Sequence, residues 1–454
     1  MKSIKSIMAL IVFLTVFNGS GIYCQSENIQ TIEVVFKVME IVNTKNDGSL
    51  WPNFMVTEIP VMVFDSVNTW LFHSNIAPDG FTAVQEHPDV YMFKGQHPLV
   101  RGNSIVRAGD QWIATSVLSS YARRTGEKYS AKDLAGIIIH EQFHIFQRNK
   151  HPRWRQNDAY MLLYPTETQE SLFLRRIEKE AFKRAVLSSK SAEIVTWVNE
   201  ALRYREQRLN MIDSDFGRYE MELQRTEGLS DYIEKIARGL DPLNASEITN
   251  GIAPAGVRDL GYVEGRWIAM ILDKVNPDWK TVLEANDTLY LENILKNSIS
   301  GLKSKSVSFS NVEIKKLEDK ASLDFDKWQE NKSQEINKFK DLPGYRLEIN
   351  ASSKPLGIGI FEPLEIEILD DGSVYHRLIF SAANNAGTLR IMNQPCITQF
   401  DNSLRIIKLI LNGLNESPEI IENENKIILK NNNITIDLKY TKVSVDKSLY
   451  SIEL

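Results

Sequence analysis

Ser130-Ala131-Lys132-Asp133-Leu134-Ala135-Gly136-Ile137-Ile138-Ile139-His140-Glu141-Gln142-Phe143-His144-Ile145-Phe146-Gln147 carries three signals of one helix. Ser130 and Asp133 have the spacing of a capping box, so the helix is expected to begin there. Leu134, Ile137, Ile138 and Ile145 recur at helical intervals. His140 and His144, at i and i+4, project from one face a turn apart, which lets two imidazoles reach a single zinc ion. Glu141 is then held beside that metal, where its carboxylate can take a proton from water and pass it to a leaving group. Ile137, Ile138, Ile139, Ile145 and Phe146 make this helix apolar over most of its surface, so both histidines are expected to be buried. Buried imidazoles need partners, and a metal is one. The pattern can also arise as two histidines and an acid on a solvated helix, on the order of one chance match in a hundred such sequences.

A catalytic zinc site takes a third protein ligand and leaves a position for water. Arg148, Asn149, Lys150 and His151 follow directly, with no histidine or aspartate at a short downstream ligand spacing. A glutamate from a later helix is the alternative, and two stand out. Glu227 lies in Arg225-Thr226-Glu227-Gly228-Leu229-Ser230-Asp231-Tyr232, with Asp231 one turn on, where it could orient a ligand histidine. Glu180 lies on a stripe with Phe173, Ile177 and Arg184, and the plainer reading pairs it with that arginine or with Arg176. Donors for a developing oxyanion are sought at Tyr262, Tyr232 and Arg266, of which Tyr262 is chosen. The plainer reading of each is packing or an ion pair.

Outward from this helix, residues 26–129 mix short β-like runs, such as 59–64 and 104–106, with Gly, Pro and Asn punctuation. Residues 130–340 read as helical. Thr166 with Gln169 starts a second helix, and further helices are expected over 192–211, 219–237, 265–274 and 318–339, the last ending at Leu342-Pro343-Gly344. Beyond Tyr345, runs of Ile, Leu, Val and Thr separated by Asp370-Asp371-Gly372 and Asn431-Asn432-Asn433 read as strands of a β-rich accessory domain. His376 and Cys396 stand alone there and read as structural.

The chain has 454 residues, 43% of them hydrophobic, and a net charge of -6, which speaks against a nucleic-acid partner. Lys2 and Lys5, an apolar run over 7–17, and then small and polar residues have the layout of a secretory signal peptide over residues 1–24. Export to the periplasm or the medium is expected. Cys24 follows the bulky Tyr23, which argues against lipid anchoring, and no later run is long enough to span a membrane. Only two cysteines occur, so no internal disulfide is expected in the mature chain.

The segment 137–147, followed by Glu227-Gly228-Leu229-Ser230-Asp231-Tyr232, resembles the gluzincin metallopeptidases, the group of thermolysin and the zinc aminopeptidases. Many of them carry Glu-Gly-Leu-Ala-x-Tyr on the helix that supplies the glutamate ligand. Ser230 stands here in place of the alanine, and the interval from His144 to Glu227 is longer than in many members. A looser resemblance, through 174–180, 204–208 and 261–265, is to exported bacterial proteins of this type. It covers about 59–280 and implies no substrate.

The expected class is therefore α+β: a zincin-like, mostly helical domain over 25–343 with a small mixed β subdomain, then a β domain over 344–454. The resemblance implies a peptidase acting on peptides or proteins, with Zn2+ on His140, His144 and Glu227. The chemistry alone implies only metal-assisted hydrolysis. A zinc hydrolase of a non-peptide amide or ester is one rival. Others are a binding protein that keeps the zinc helix without turnover, and a structural zinc site closed by a fourth ligand such as Glu180.

Overall fold

The computed structural model describes residues 31–118, 130–239, 251–305 and 308–454. The signal-peptide reading of residues 1–24 lies outside these. The first described element is a helix, α1 (Thr31–Asn43), in a region expected to hold β-like runs. Val35, Val38, Met39 and Val42 recur at helical intervals and all are buried. Their β-branched character mimics a strand, but the periodicity prevails because that face packs on the metal-motif helix.

A six-stranded sheet follows, built from β1 (Val61–Phe64), β2 (Asn68–Phe72), β3 (Thr82–Val84), β4 (His87–Lys94), β5 (Ser104–Ala108) and β6 (Gln111–Val117). Its order is β3-β4-β2-β1-β6-β5. Only β1 and β6 run parallel, from Val61 opposite Ala114 to Phe64 opposite Val117, so the sheet is mixed. The edge strand β5 and its neighbour β6 both lie against α2 (Ala131–Lys150).

The helical part continues with α3 (Gln169–Leu187), α4 (Ser191–Leu209), α5 (Ser214–Leu223), α6 (Leu229–Arg238), α7 (Ala255–Val275), α8 (Trp279–Glu284), α9 (Leu291–Ile299) and α10 (Asn311–Lys340). Several boundaries differ from the sequence reading, among them the start of α10, seven residues before the expected 318. The cap of α3 is Thr168, whose side chain accepts from the Ser171 N–H, rather than Thr166. The helix expected over 219–237 is α5 and α6 joined by a π-helical turn, Gln224–Gly228, and it ends at Gly239 in the left-handed conformation. α7 begins at Ala255, well before residue 265, because its glycines are contact points rather than breaks. A Cβ on Gly265 would stand 2.7 Å from the Cα of Gly228 and closer still to the Gln224 carbonyl, so α7 meets the π turn backbone to backbone. Around these elements Ile138, Ile139, Phe143, Ile177, Phe182, Ile233, Trp267 and Ile268 belong to one buried core.

From Tyr345 the chain is strands: β7 (Tyr345–Asn350), β8 (Gly357–Phe361), β9 (Ile366–Ile368), β10 (Val374–His376), β11 (Ile379–Asn384), β12 (Gly387–Met392), β13 (Cys396–Phe400), β14 (Ile406–Leu414), β15 (Glu419–Ile421), β16 (Lys426–Lys430), β17 (Ile434–Lys439), β18 (Lys442–Asp446) and β19 (Leu449–Glu453). They form a seven-stranded sheet, β18-β19-β7-β14-β13-β10-β9, and a six-stranded one, β15-β16-β17-β12-β11-β8. Leu347, Leu411, Leu389 and Ile436 from the two sheets share one core, which Met161, Leu162, Tyr219 and Leu223 of the helical part also enter. His376 and Cys396 sit opposite each other in register, both buried, with His376 Nε2 2.8 Å from Thr398 Oγ1. The expected α+β class, helices first and a sheet-rich part after, is the one observed.

Candidate metal centre

The start of α2 explains how the motif is held. Ser130 Oγ accepts from the Asp133 N–H and the Asp133 carboxylate accepts from the Ser130 N–H, closing the capping box. The same carboxylate accepts from Arg238 Nη2 at 2.5 Å, and so ties the first turn of α2 to the last turn of α6. Gln142, fully buried, donates to the carbonyls of Val56 and Ile59 and locks the motif helix to the segment before β1.

His140 Nε2 and His144 Nε2 face each other at 3.1 Å. Glu227 Oε2, arriving from the π turn, lies 3.1 Å from His144 Nε2 and 3.7 Å from His140 Nε2. The donor atoms of these three residues all lie within 4.8 Å of one another. The other carboxylate oxygen, Oε1, accepts from Arg258 Nη2 and from Gln156 Nε2, each at 3.0 Å. Glu227 therefore offers a single oxygen to the histidines. Burial alone would raise its pKa, but the charges of His144 and Arg258 outweigh it and hold the carboxyl well below the usual range.

The far nitrogen of His144 is hydrogen-bonded, and that of His140 has a carboxylate within ion-pair distance. His144 Nδ1 is 3.0 Å from Gln147 Oε1 and 3.2 Å from Ser230 Oγ. Gln147 is itself fixed by donating to the Thr226 carbonyl. His140 Nδ1 lies 3.4 Å from Glu234 Oε2. Burial opposes a charge on His140, yet Glu227 and Glu234 outweigh it and the pKa is pushed up to about 10. Glu234 is in turn held by Arg238 Nη1 at 2.6 Å and Lys235 Nζ at 3.1 Å.

Two imidazole nitrogens 3.1 Å apart, with a carboxylate oxygen against both, gather three ligand atoms where protons alone serve poorly. An N, N, O set is one that divalent transition metals accept. This buried group could hold a metal ion.

Each residue singled out from the sequence now has a place. His140, His144 and Glu227 come together. Glu141 is partly buried on the same helix, and burial raises its pKa against the pull of His140 and His144. Glu180 is not brought to the histidines: Arg184, one turn on, takes its carboxylate at 3.0 Å and carries it toward Glu313 of α10. Asp231 is held by Arg266 Nη1 at 2.5 Å and Lys235 Nζ at 3.3 Å, and the carboxylate at His140 Nδ1 is that of Glu234. Tyr232 donates to Asp273 at 2.7 Å. Tyr262 stacks on His140, ring centroids 6.2 Å apart and 13° from parallel, and its hydroxyl accepts from Arg258 Nη2 at 3.3 Å. His151 is held on both ring nitrogens, by Asp287 and Glu284.

The residues that sequence reasoning missed are Glu234, Arg258, Gln156 and Gln147. Glu234 had a signal, since i+7 from Glu227 falls on the same helical face as i+4. Arg258 and Gln156 had none, because their roles depend on the approach of α7 and of the segment after α2. Comparison of the chain with protein-family models, with curated proteins and with solved structures found no match.

Proposed function

We propose that this protein is an exported zinc metallopeptidase in which His140, His144 and Glu227 hold Zn2+ and Glu141 is the general base. One observation carries the reading: Arg258 and Gln156 occupy Glu227 Oε1, leaving a set of three single-atom donors. Three protein donors are the pattern of catalytic zinc, whereas structural sites close with four. Among the described residues the group has no fourth member, and Glu180 is held elsewhere by Arg184.

Zinc bound there would supply Lewis acidity, lowering the pKa of a water and polarising a scissile carbonyl. The rest falls to the chain's own side chains. The Glu141 carboxylate takes the proton of the attacking water and delivers it to the departing amine, a role suited to a carboxyl whose pKa burial has raised. Burial, with Glu227 nearby, keeps the Tyr262 phenol protonated despite Arg258, so it serves as the O–H donor to the developing oxyanion. Glu234 and Gln147 orient the two histidines.

Peptide rather than another amide or ester follows from the likeness of 137–147 and 227–232 to gluzincins. Export rests on the pattern of residues 1–24. No helix among the described residues is long and apolar enough to cross a membrane.

Zinc content by elemental analysis, paired with cleavage of a mixed peptide library, tests the reading on wild type, Glu141→Gln and Glu227→Ala. One zinc with peptide cleavage in wild type, zinc without cleavage in Glu141→Gln, and loss of zinc in Glu227→Ala are expected. Zinc without cleavage in wild type would move the reading to a non-peptide hydrolase or a binding protein. Failure of wild type to take up any divalent metal would end it.

A further inference from the structure

The face of α2 that carries the motif continues one turn past the ligands. Ile137, Glu141, His144 and Arg148 follow at intervals of four, three and four, which stacks them along one side of the helix, and all four are partly buried. The Arg148 guanidinium lies 3.8 Å from the ring centroid of Trp112 on β6. Among the described residues it meets no carboxylate. Burial first, then the charges of Arg155 and of Arg107 on the edge strand β5, depress its pKa.

Arg155 is exposed, has no carboxylate partner among the described residues, and adjoins Gln156, the residue that fixes Glu227 Oε1. Of the three arginines, only Arg107 has an acid, the exposed Asp110 at 3.3 Å. Four buried arginines of the helical part are arranged differently. Arg205, Arg208, Arg258 and Arg266 are each buried against one or more carboxylates. A chain with a net charge of -6 does not lack acids to pair with. A guanidinium over an indole keeps the planar fork of N–H groups that can grip a carboxylate in bidentate fashion.

We propose that Arg148 and Arg155 form an anion subsite beside the metal ligands, selecting peptides with a carboxylate close to the scissile bond, either an acidic side chain or the free C-terminus. The inference rests on the peptidase reading for its substrate, but its recognition step can be measured without turnover.

The test uses the full zinc-loaded protein and two readouts. Matched peptides bearing Glu or Gln at each position, with free or amidated C-termini, are compared for kcat/KM in wild type. The same peptides are titrated calorimetrically into Glu141→Gln, alone and combined with Arg148→Gln, Arg155→Gln or Arg148→Glu. A charge-assisted contact predicts about ten- to hundredfold preference for the carboxylate-bearing peptide. Arg148→Gln and Arg155→Gln should each shrink that ratio, and Arg148→Glu should invert it toward the Gln-bearing or amidated member of each pair. Loss of preference on amidation points to the C-terminus, and loss on Glu-to-Gln exchange to a side chain. Equal affinity for both members of every pair in wild type overturns the proposal, as does a preference that survives both arginine substitutions in variants with wild-type zinc content and melting temperature. If acidic peptides bind through Arg148 but are never cut, the subsite stands and the peptidase reading falls.

Discussion

Glu234 Oε2 lies 3.4 Å from His140 Nδ1, on the opposite side of the imidazole from the nitrogen that faces Glu227. The ring thus lies between two carboxylates, one on the side of the candidate metal position and one behind it. The second belongs to a relay, Asp133 to Arg238 to Glu234, that joins the start of α2 to α6. The orientation of the metal ligand is therefore coupled to helix packing.

Replacing Glu234 by Gln should weaken metal binding about ten- to hundredfold, the usual cost of removing a partner behind a ligand histidine. Competition with a chromophoric chelator reads this directly. Removing the carboxylate also takes from Arg238 one of its two acids, leaving Asp133, so the metal-free variant should melt lower than metal-free wild type. A variant that melts lower yet binds metal with wild-type affinity would show that Glu234 only packs the helices.

Glu141 and Glu227 should separate cleanly. Glu141→Gln keeps both histidines and Glu227, so metal content should hold while turnover falls by about a hundredfold to ten-thousandfold, the range of general-base loss. Glu227→Gln should instead weaken metal retention during dialysis. A Glu141→Gln protein that turns over at the wild-type rate would remove the base from the mechanism.

What could be read in the sequence was what depends on near neighbours. The capping box of Ser130 and Asp133 and the i, i+4 histidines are set within one helix, and both were legible. Choosing Glu227 over Glu180 turns on whether Arg184 holds Glu180, and Arg184 is itself anchored by Glu313 of α10, far along the chain. Asp231 and Glu234 share a face by spacing alone, and the choice between them depends on Arg266, which crosses from α7 to hold Asp231. The missed helix α1 and the late start assigned to α7 have the same root. Both elements are fixed by contacts with distant partners, those of Val35 and Val38 in the core and of Gly265 with the π turn.

The contact of Gly265 with Gly228 predicts a steric effect. Gly265→Ala puts a methyl where backbone of the π turn already lies, so α7 and the Glu227 segment must separate. Overpacking of this kind costs about 1–3 kcal/mol. The melting temperature should fall by several degrees, and metal affinity with it, because Arg258 and Tyr262 ride on the same helix. An unchanged melting temperature would mean that the two backbones are farther apart than described.

His376 provides a pH prediction away from the metal. It is fully buried in the β part, and burial lowers its pKa to about 3, so it stays neutral in the folded protein over a range where the unfolded chain protonates. Between its unfolded pKa of about 6.5 and the folded value, the unfolded state binds more protons, so stability is lost as pH falls through this window, by about 1.4 kcal/mol per pH unit at full effect. Above about pH 6.5 the contribution is flat. His376→Gln, which keeps an amide in reach of Thr398 but cannot titrate, should lose less stability than wild type between pH 6.5 and 4. Denaturant unfolding of both proteins at several pH values measures the difference, and the carboxylates common to both cancel in it. Parallel curves for the two proteins would mean that His376 is charged, or open to water, in the folded state.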